Sequence, residues 1–369
     1  MEAAEAKQLI NLLDELCKAV EELLLAGLTA ASKSTVERLD VSFKEASRRK
    51  LLRLGSTLRI ANEEISRFTS GSTLFSAKRF SFFLGRAWVL ATGMRQALTA
   101  GDTATIARLL ATPQSAAVGS VNAVVLGVTK RSVPGAFASF DFRMRAIEAV
   151  APIAAGESLV WSCVFPMRAD LDLPAEAFLH LPQKQKFKPS VLLEKKVVQI
   201  SNCRVSPQPN NATRITLGDA SEVKNLDAFT DWKNLWKWDM AAASQRLAQY
   251  QPTPLALEIE FQEEVFLDEW EAGKLESSDE GYDLLPITAK ALQREARLDR
   301  GPSGTPLHDL FIKLAQKRTR PPLFGVAHYE SCRLIFQPLS VLEKDGPQYL
   351  TLSPDKISQA ALIKAMKFT

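Results

Sequence analysis

The chain has few of the residues from which enzymes and metal sites are most often built. It holds four cysteines and three histidines in 369 residues. Cys17, Cys163, Cys203 and Cys332 stand far apart, so no Cys-x-x-Cys pair is available to grip zinc. His180, His308 and His328 form no His-Glu-x-x-His pair, and no serine lies in a Gly-x-Ser-x-Gly elbow. A near match to a phosphate loop, GLTAASKS at residues 27–34, has Ser32 where the second glycine belongs. It also follows a helical pattern instead of a strand, so it is expected to be a helix–helix turn. No catalytic residue, metal ligand or cofactor is assigned.

Long hydrophobic runs are also missing. The most apolar stretch, FSAKRFSFFLGRAWVLATGMRQAL at residues 75–98, carries Lys78, Arg79, Arg86 and Arg95. Its longest uncharged piece, residues 87–94, is less than half of the roughly 18–20 apolar residues that a membrane span needs. Phe80, Phe83, Leu84, Trp88 and Ala91 recur at helical spacing. The stretch is therefore expected to be a core helix, with Glu63 or Glu64 facing Arg86, and no membrane role is expected. The opening MEAAEAKQ is acidic, unlike a signal peptide, and the thiols are unpaired. Both point to a reducing, cytoplasmic setting.

Charge of one sign is not in excess either. A net charge of +4 is far from the balance of a histone, so nucleic-acid binding would have to rest on local patches. Hydrophobic residues at 46% are enough to build real cores. No internal repeat and no low-complexity tract is visible.

What is present divides into three parts. Residues 1–112 have helical periodicity, with the stripe Leu9, Leu13, Leu16, Val20 and Leu23 first. A second helix is expected from the capping box STVE at Ser34 as far as Arg67. Short loops between long helices make a bundle. Residues 113–222 hold strand-like runs punctuated by Pro and Gly, including VNAVVLGVTK, AFASFDFRMRAI, AFLHLP and SVLLEKKVVQI. They suggest a small antiparallel barrel or sandwich, and an OB-like barrel fits the strand count. Residues 223–369 mix helix and strand around an acidic loop. The fold class is thus α+β.

Several constellations could carry function. In HLPQKQKFKPS, Lys184, Lys186 and Lys188 surround Phe187, and Lys195 and Lys196 follow. A basic hairpin loop with an aromatic can hold phosphates and stack a base. On the second helix, Arg48, Arg49, Lys50, Arg53 and Arg59 form a basic patch. Arg49 and Arg53 lie one helical turn apart, so they can share a face, either for phosphate or for pairing with glutamates such as Glu45 and Glu63. TDWKNLWKWDM places Trp232, Leu235, Trp236 and Met240 on one stripe, with Trp238 on another face, either as core or as a partner hot spot. Glu276, Asp279, Glu280 and Asp283 form an acidic segment suited to a basic partner or a second copy of the chain. Asp170 and Asp172 could share a cation only with further ligands.

The leading expectation is a non-enzymatic binding or scaffold subunit of a cytoplasmic assembly, acting through charged patches and the Trp-rich helix. Its partners would be another protein or a second copy of the chain. The alternative is a nucleic-acid-binding protein that uses the basic loop on a small barrel. A further alternative is an enzyme assembled without a short motif from residues such as Asp170, His180 and Cys163.

Overall fold

The computed structural model describes residues 3–30, 33–73, 75–110, 115–133, 137–167, 173–208, 212–235, 240–249, 262–277, 282–289, 292–299, 305–318, 320–330 and 333–353. The chain forms two compact units, a helical unit up to Pro113 and a β-rich unit that begins at Gln114.

The helical unit contains α1 (Ala3–Ala26), α2 (Lys33–Arg48), α3 (Leu52–Thr69), α4 (Ala77–Ala100) and α5 (Thr103–Leu110). The stripe Leu9, Leu13, Leu16, Val20 and Leu23 is buried, as its spacing requires. Gly27, with φ +72°, ends α1 in the left-handed conformation that glycine adopts without strain. The segment 27–34 therefore joins two helices, and Ser34 lies within α2. The α1–α4 pair runs antiparallel: Asp14 accepts from Arg95, Cys17 meets Thr92, and Glu21 accepts from Trp88. Among the described residues no helix is long and apolar enough to cross a membrane.

The structure differs from the sequence expectation in two places here. The second helix is two helices, because Lys50 turns at φ +56° and the Leu51 amide donates back to the Ala46 carbonyl at 2.8 Å. That turn drops Leu51 into the core, so hydrophobic burial outweighs helix continuation. Trp88 lies at the surface, its indole N–H on Glu21 at 2.8 Å. Glu64 is fully buried, and its carboxylate takes Arg67, Arg79 and the Ser76 amide, while Glu63 pairs with Arg59.

The β unit begins with β1 (Ala116–Val133), β2 (Phe137–Ala146), β3 (Ser158–Pro166), β4 (Lys196–Pro207) and β5 (Thr213–Ala228). They close into a barrel of order β1-β2-β3-β5-β4, with β3 and β5 parallel and the other pairs antiparallel. This is OB-like connectivity. Alternation sends Ala138, Phe140, Phe142 and Met144 of β2, and Leu159, Trp161, Cys163 and Phe165 of β3, to the interior. β5 runs through the expected boundary at residue 222. AFLHLP is not a strand: Ala175–His180 is a 3-10 turn, and a second one spans Pro189–Leu193. Both lie in the connection between β3 and β4.

After α6 (Trp232–Leu235) and α7 (Met240–Gln249) comes a second sheet. Its strands are β6 (Glu263–Leu267), β7 (Glu271–Ala272), β8 (Glu276–Ser277), β9 (Tyr282–Ala289), β10 (Leu292–Asp299), β11 (Leu323–Glu330), β12 (Arg333–Glu343) and β13 (Gly346–Tyr349), with α8 (Thr305–Ala315) between β10 and β11. The order is β6-β11-β12-β10-β9-β7, and β10 and β12 are parallel. β6 and β7 are consecutive in the chain, separated by a bend in which Glu269 has φ +51°. Taken as one interrupted strand, they give the strand order of the first barrel over again.

The two sheets meet without a gap. Val124 and Leu126 of β1 pack with Phe324, Val326, Leu339 and Trp232. Gly127 is required there, since a Cβ would lie 2.8 Å from Phe324 and 2.9 Å from Leu339. The Ser340 hydroxyl donates to the Leu126 carbonyl at 2.5 Å.

Candidate nucleic-acid interface

The outer face of β2 carries Arg143 and Arg145, and both are buried by β6. Arg145 reaches one Glu264 oxygen at 2.9 Å, and Arg143 reaches the other at 3.4 Å and Gln262 at 2.6 Å. The Ser158 hydroxyl donates to Glu264 at 2.9 Å. Folds of this kind often bind their ligands on the face of strands 2 and 3. In this chain much of that face is taken by the second sheet.

Exposed cations of the first barrel include Arg131 on β1, Arg204 on β4, Arg214 and Lys224 on β5, and a group of three in the β3–β4 connection. Lys184, Lys186 and Lys188 are all exposed. Their turn is closed by the Gln183 amide donating to the Phe187 carbonyl and the Lys186 amide donating to the Gln183 carbonyl, each at 2.8 Å. Lys186 stands at φ +60°. The Gln185 amide donates to the Gly218 carbonyl of β5 at 3.2 Å, and Asn225 of β5 donates to the Val191 carbonyl at 2.9 Å. The turn is thus tied to the barrel wall on both sides. Among the described residues, no acidic group pairs with these three lysines.

Phe187 requires a correction. It is not offered for base stacking: it is buried in the barrel core, its ring 5.4 Å from that of Trp161. Burying an aromatic of this size is worth roughly 1.5–3 kcal/mol, which fixes the turn that displays the lysines. Lys195 and Lys196 are partly engaged, by Asp345 at 3.5 Å and by Glu194 at 2.9 Å. His180 is exposed at the end of the first 3-10 turn. Partial burial, and then the nearby Lys188 charge, hold its pKa below the ordinary value.

The other candidates disperse. Arg49 sits in the turn after α2, bonded to Glu45 and Gln8, and Arg53 lies in the first turn of α3. They share no continuous helix, because Lys50 breaks it. Arg48 also pairs with Glu45. Trp232 is no exposed hot spot; it is buried where the two sheets meet, edge-on to Phe229 at 4.9 Å. Trp236 and Trp238 lie outside the described residues, as do Asp170, Asp172, Asp279, Glu280 and Cys332. Glu276 is exposed on β8. Asp283 is not part of an exposed acidic face: it is buried and bonded to His308 at 2.8 Å.

Of the residues named for an enzyme, Asp170 lies outside the described residues and His180 is exposed. Cys163 points into the barrel, and burial pushes its thiol up to about 12, which leaves no useful thiolate near neutral pH.

No family model matches the sequence, and no curated protein matches it. Solved structures give remote likenesses. The crystal structure of the Ifi202 HINa domain in complex with 20-bp dsDNA is 9% identical, with TM-score 0.31, over 61% of this chain and 94% of that one. The tetrameric p202 HIN2 domain is 7% identical, with TM-score 0.27, over 62% and 90%. The p202 HIN1 domain in complex with 12-mer dsDNA is 10% identical, with TM-score 0.29, over 60% and 90%. At these identities and TM-scores the likeness bears on neither the role nor the ligand of this chain.

Proposed function

We propose that this chain is a non-catalytic binding protein whose β unit grips the phosphate backbone of nucleic acid. The observation that carries the proposal is the lysine turn. Lys184, Lys186 and Lys188 stand exposed on a segment locked by Phe187 in the barrel core and by Gln185 on β5. Holding three ammonium groups on a fixed turn removes part of the ordering entropy that binding would otherwise cost. Lysine is a point charge without a forked geometry, so the contact reads phosphate and not base sequence.

The test is fluorescence anisotropy with labelled single-stranded and duplex oligonucleotides across a salt series. Binding should weaken linearly in log–log form, with a slope near −0.9 per duplex phosphate contacted. Replacing Lys184, Lys186 and Lys188 together by alanine should make the slope shallower by about 2–3. An unchanged slope in that variant would sink the proposal.

A second reading, a protein-binding role, has its own observation in the helical unit. Leu25 is 89% exposed at the end of α1, beside exposed Leu24. The antiparallel register of α1 and α4 brings this end toward exposed Phe82 and Trp88. Large apolar side chains gathered at one end of a helix pair are suited to a partner surface. Co-purification from native cells that survives nuclease and is lost in a Leu24→Asp/Leu25→Asp variant would support it; co-purification unchanged in that variant would count against it.

A further inference from the structure

The strand order of the first barrel recurs in the second sheet. In each, the third strand lies parallel to the fifth, and the connection from third to fourth strand passes outside the sheet. In the first barrel that connection holds Lys184, Lys186 and Lys188. In the second it holds α8 and the segment that follows it, KLAQKR at residues 313–318. Lys313, Lys317 and Arg318 are exposed there, and among the described residues none pairs with an acidic group.

A basic end of a helix has a ready structural explanation, since cations neutralise free carbonyls and the helix dipole. Here Arg320 performs that task. Its guanidinium donates to the Ala315 carbonyl at 2.9 Å and to the Trp270 carbonyl at 3.3 Å, and lies 5.5 Å from the Trp270 ring centre. The Trp270 indole in turn donates to the Pro321 carbonyl at 2.9 Å. The segment after α8 is therefore pinned by Arg320 and Trp270, much as the first connection is pinned by Phe187 and Gln185. The remaining three cations are left for solvent or a ligand.

We infer that Lys313, Lys317 and Arg318 form a second phosphate-contacting segment, so that the β unit engages nucleic acid through the corresponding connection of both sheets. This rests on the reading of the lysine turn given above. It adds a site on a different sheet, and it makes the full salt dependence the sum of two separable parts.

The experiment uses the full chain and the same labelled oligonucleotides, about 30 nucleotides long so that both segments can be occupied. Three variants are compared with the parent: K184A/K186A/K188A, K313A/K317A/R318A and the combination. The expected result is a slope shallower by about 2–3 in each triple variant and by about the sum in the combination. A charge-preserving variant, K313R/K317R/R318K, should keep the parent slope. If the 313–318 alanine variant keeps the parent slope while the 184–188 variant loses part of it, the second segment is refuted and the first reading stands. If the charge-preserving variant also loses slope, charge is not what was measured, and the inference fails. If the parent chain binds neither oligonucleotide at low salt, both readings fall together.

Discussion

Phe187 packs its ring 5.4 Å from that of Trp161, inside the barrel, while the lysines on either side of it face solvent. The same five residues therefore contain both the anchor and the exposed charge, and substitution should separate the two roles. Phe187→Ala should destabilise the β unit by about 3–5 kcal/mol through the cavity it leaves. Urea unfolding followed by tryptophan fluorescence would measure this. The three lysine-to-alanine substitutions should each stay within about 0.5 kcal/mol of the parent. If Phe187→Ala unfolds like the parent but loses nucleic-acid affinity, the ring stacks on bases after all.

Glu264 holds Arg145 at 2.9 Å in a site where the two side chains are only 3% and 2% exposed. Removing the carboxylate leaves two buried guanidinium groups short of a counter-charge. Glu264→Ala is expected to cost about 3–5 kcal/mol. Replacing Arg143, Arg145 and Glu264 together by methionine should bring stability back to the parent value or above it, because burying the charges has its own desolvation penalty. Denaturant midpoints of the two variants would decide the matter, and the order single variant below triple variant is the expected one.

Gly127 marks the closest approach of β1 to the second sheet. Gly127→Ala forces Phe324 and Leu339 to move and should destabilise by about 1–3 kcal/mol. Gly218→Ala is the control, since nothing lies within 4 Å of its added Cβ. Equal melting temperatures for the two variants would contradict the packing described.

His180 offers a titration readout beside the lysine turn. Burial first, and Lys188 second, lower its pKa in the folded chain. Just below pH 6.5 the unfolded state then binds more protons, so the group's contribution to stability is present above that pH and is lost as pH falls from it through the lower folded-state pKa. In an NMR titration, Lys188→Ala should raise the His180 pKa part of the way to the ordinary value. Bound oligonucleotide should raise it as well, because phosphate favours the imidazolium. A His180 pKa that ignores saturating oligonucleotide would place the phosphates elsewhere.

Local sequence determined a good deal about this protein. The stripe from Leu9 to Leu23 specified a helix face, and the alternation of Ala138, Phe140, Phe142 and Met144 specified a strand with one buried side. Both follow from the fixed periods of helix and strand. The run of lysines at 184, 186 and 188 was legible as a basic loop, since charged side chains seldom enter a core without partners.

Tertiary structure decided the rest. Phe187 was drawn inward because Trp161, from a strand some twenty residues earlier, offered an apolar wall. Trp232 read either as core or as a partner surface, and Asp283 as part of an acidic segment; the meeting of the two sheets buries the first, and His308 holds the second. Arg49 and Arg53 were separated because Leu51 gained more by burial than the helix gained by continuing. The basic segment at 313–318 gave no signal beyond its charge, and its place became meaningful only once the strand order repeated. That repeat left no trace in the residues, because a barrel is specified by which strands pair. Many different side chains can satisfy the same pairing, and distant hydrogen bonds and close packing choose among the alternatives.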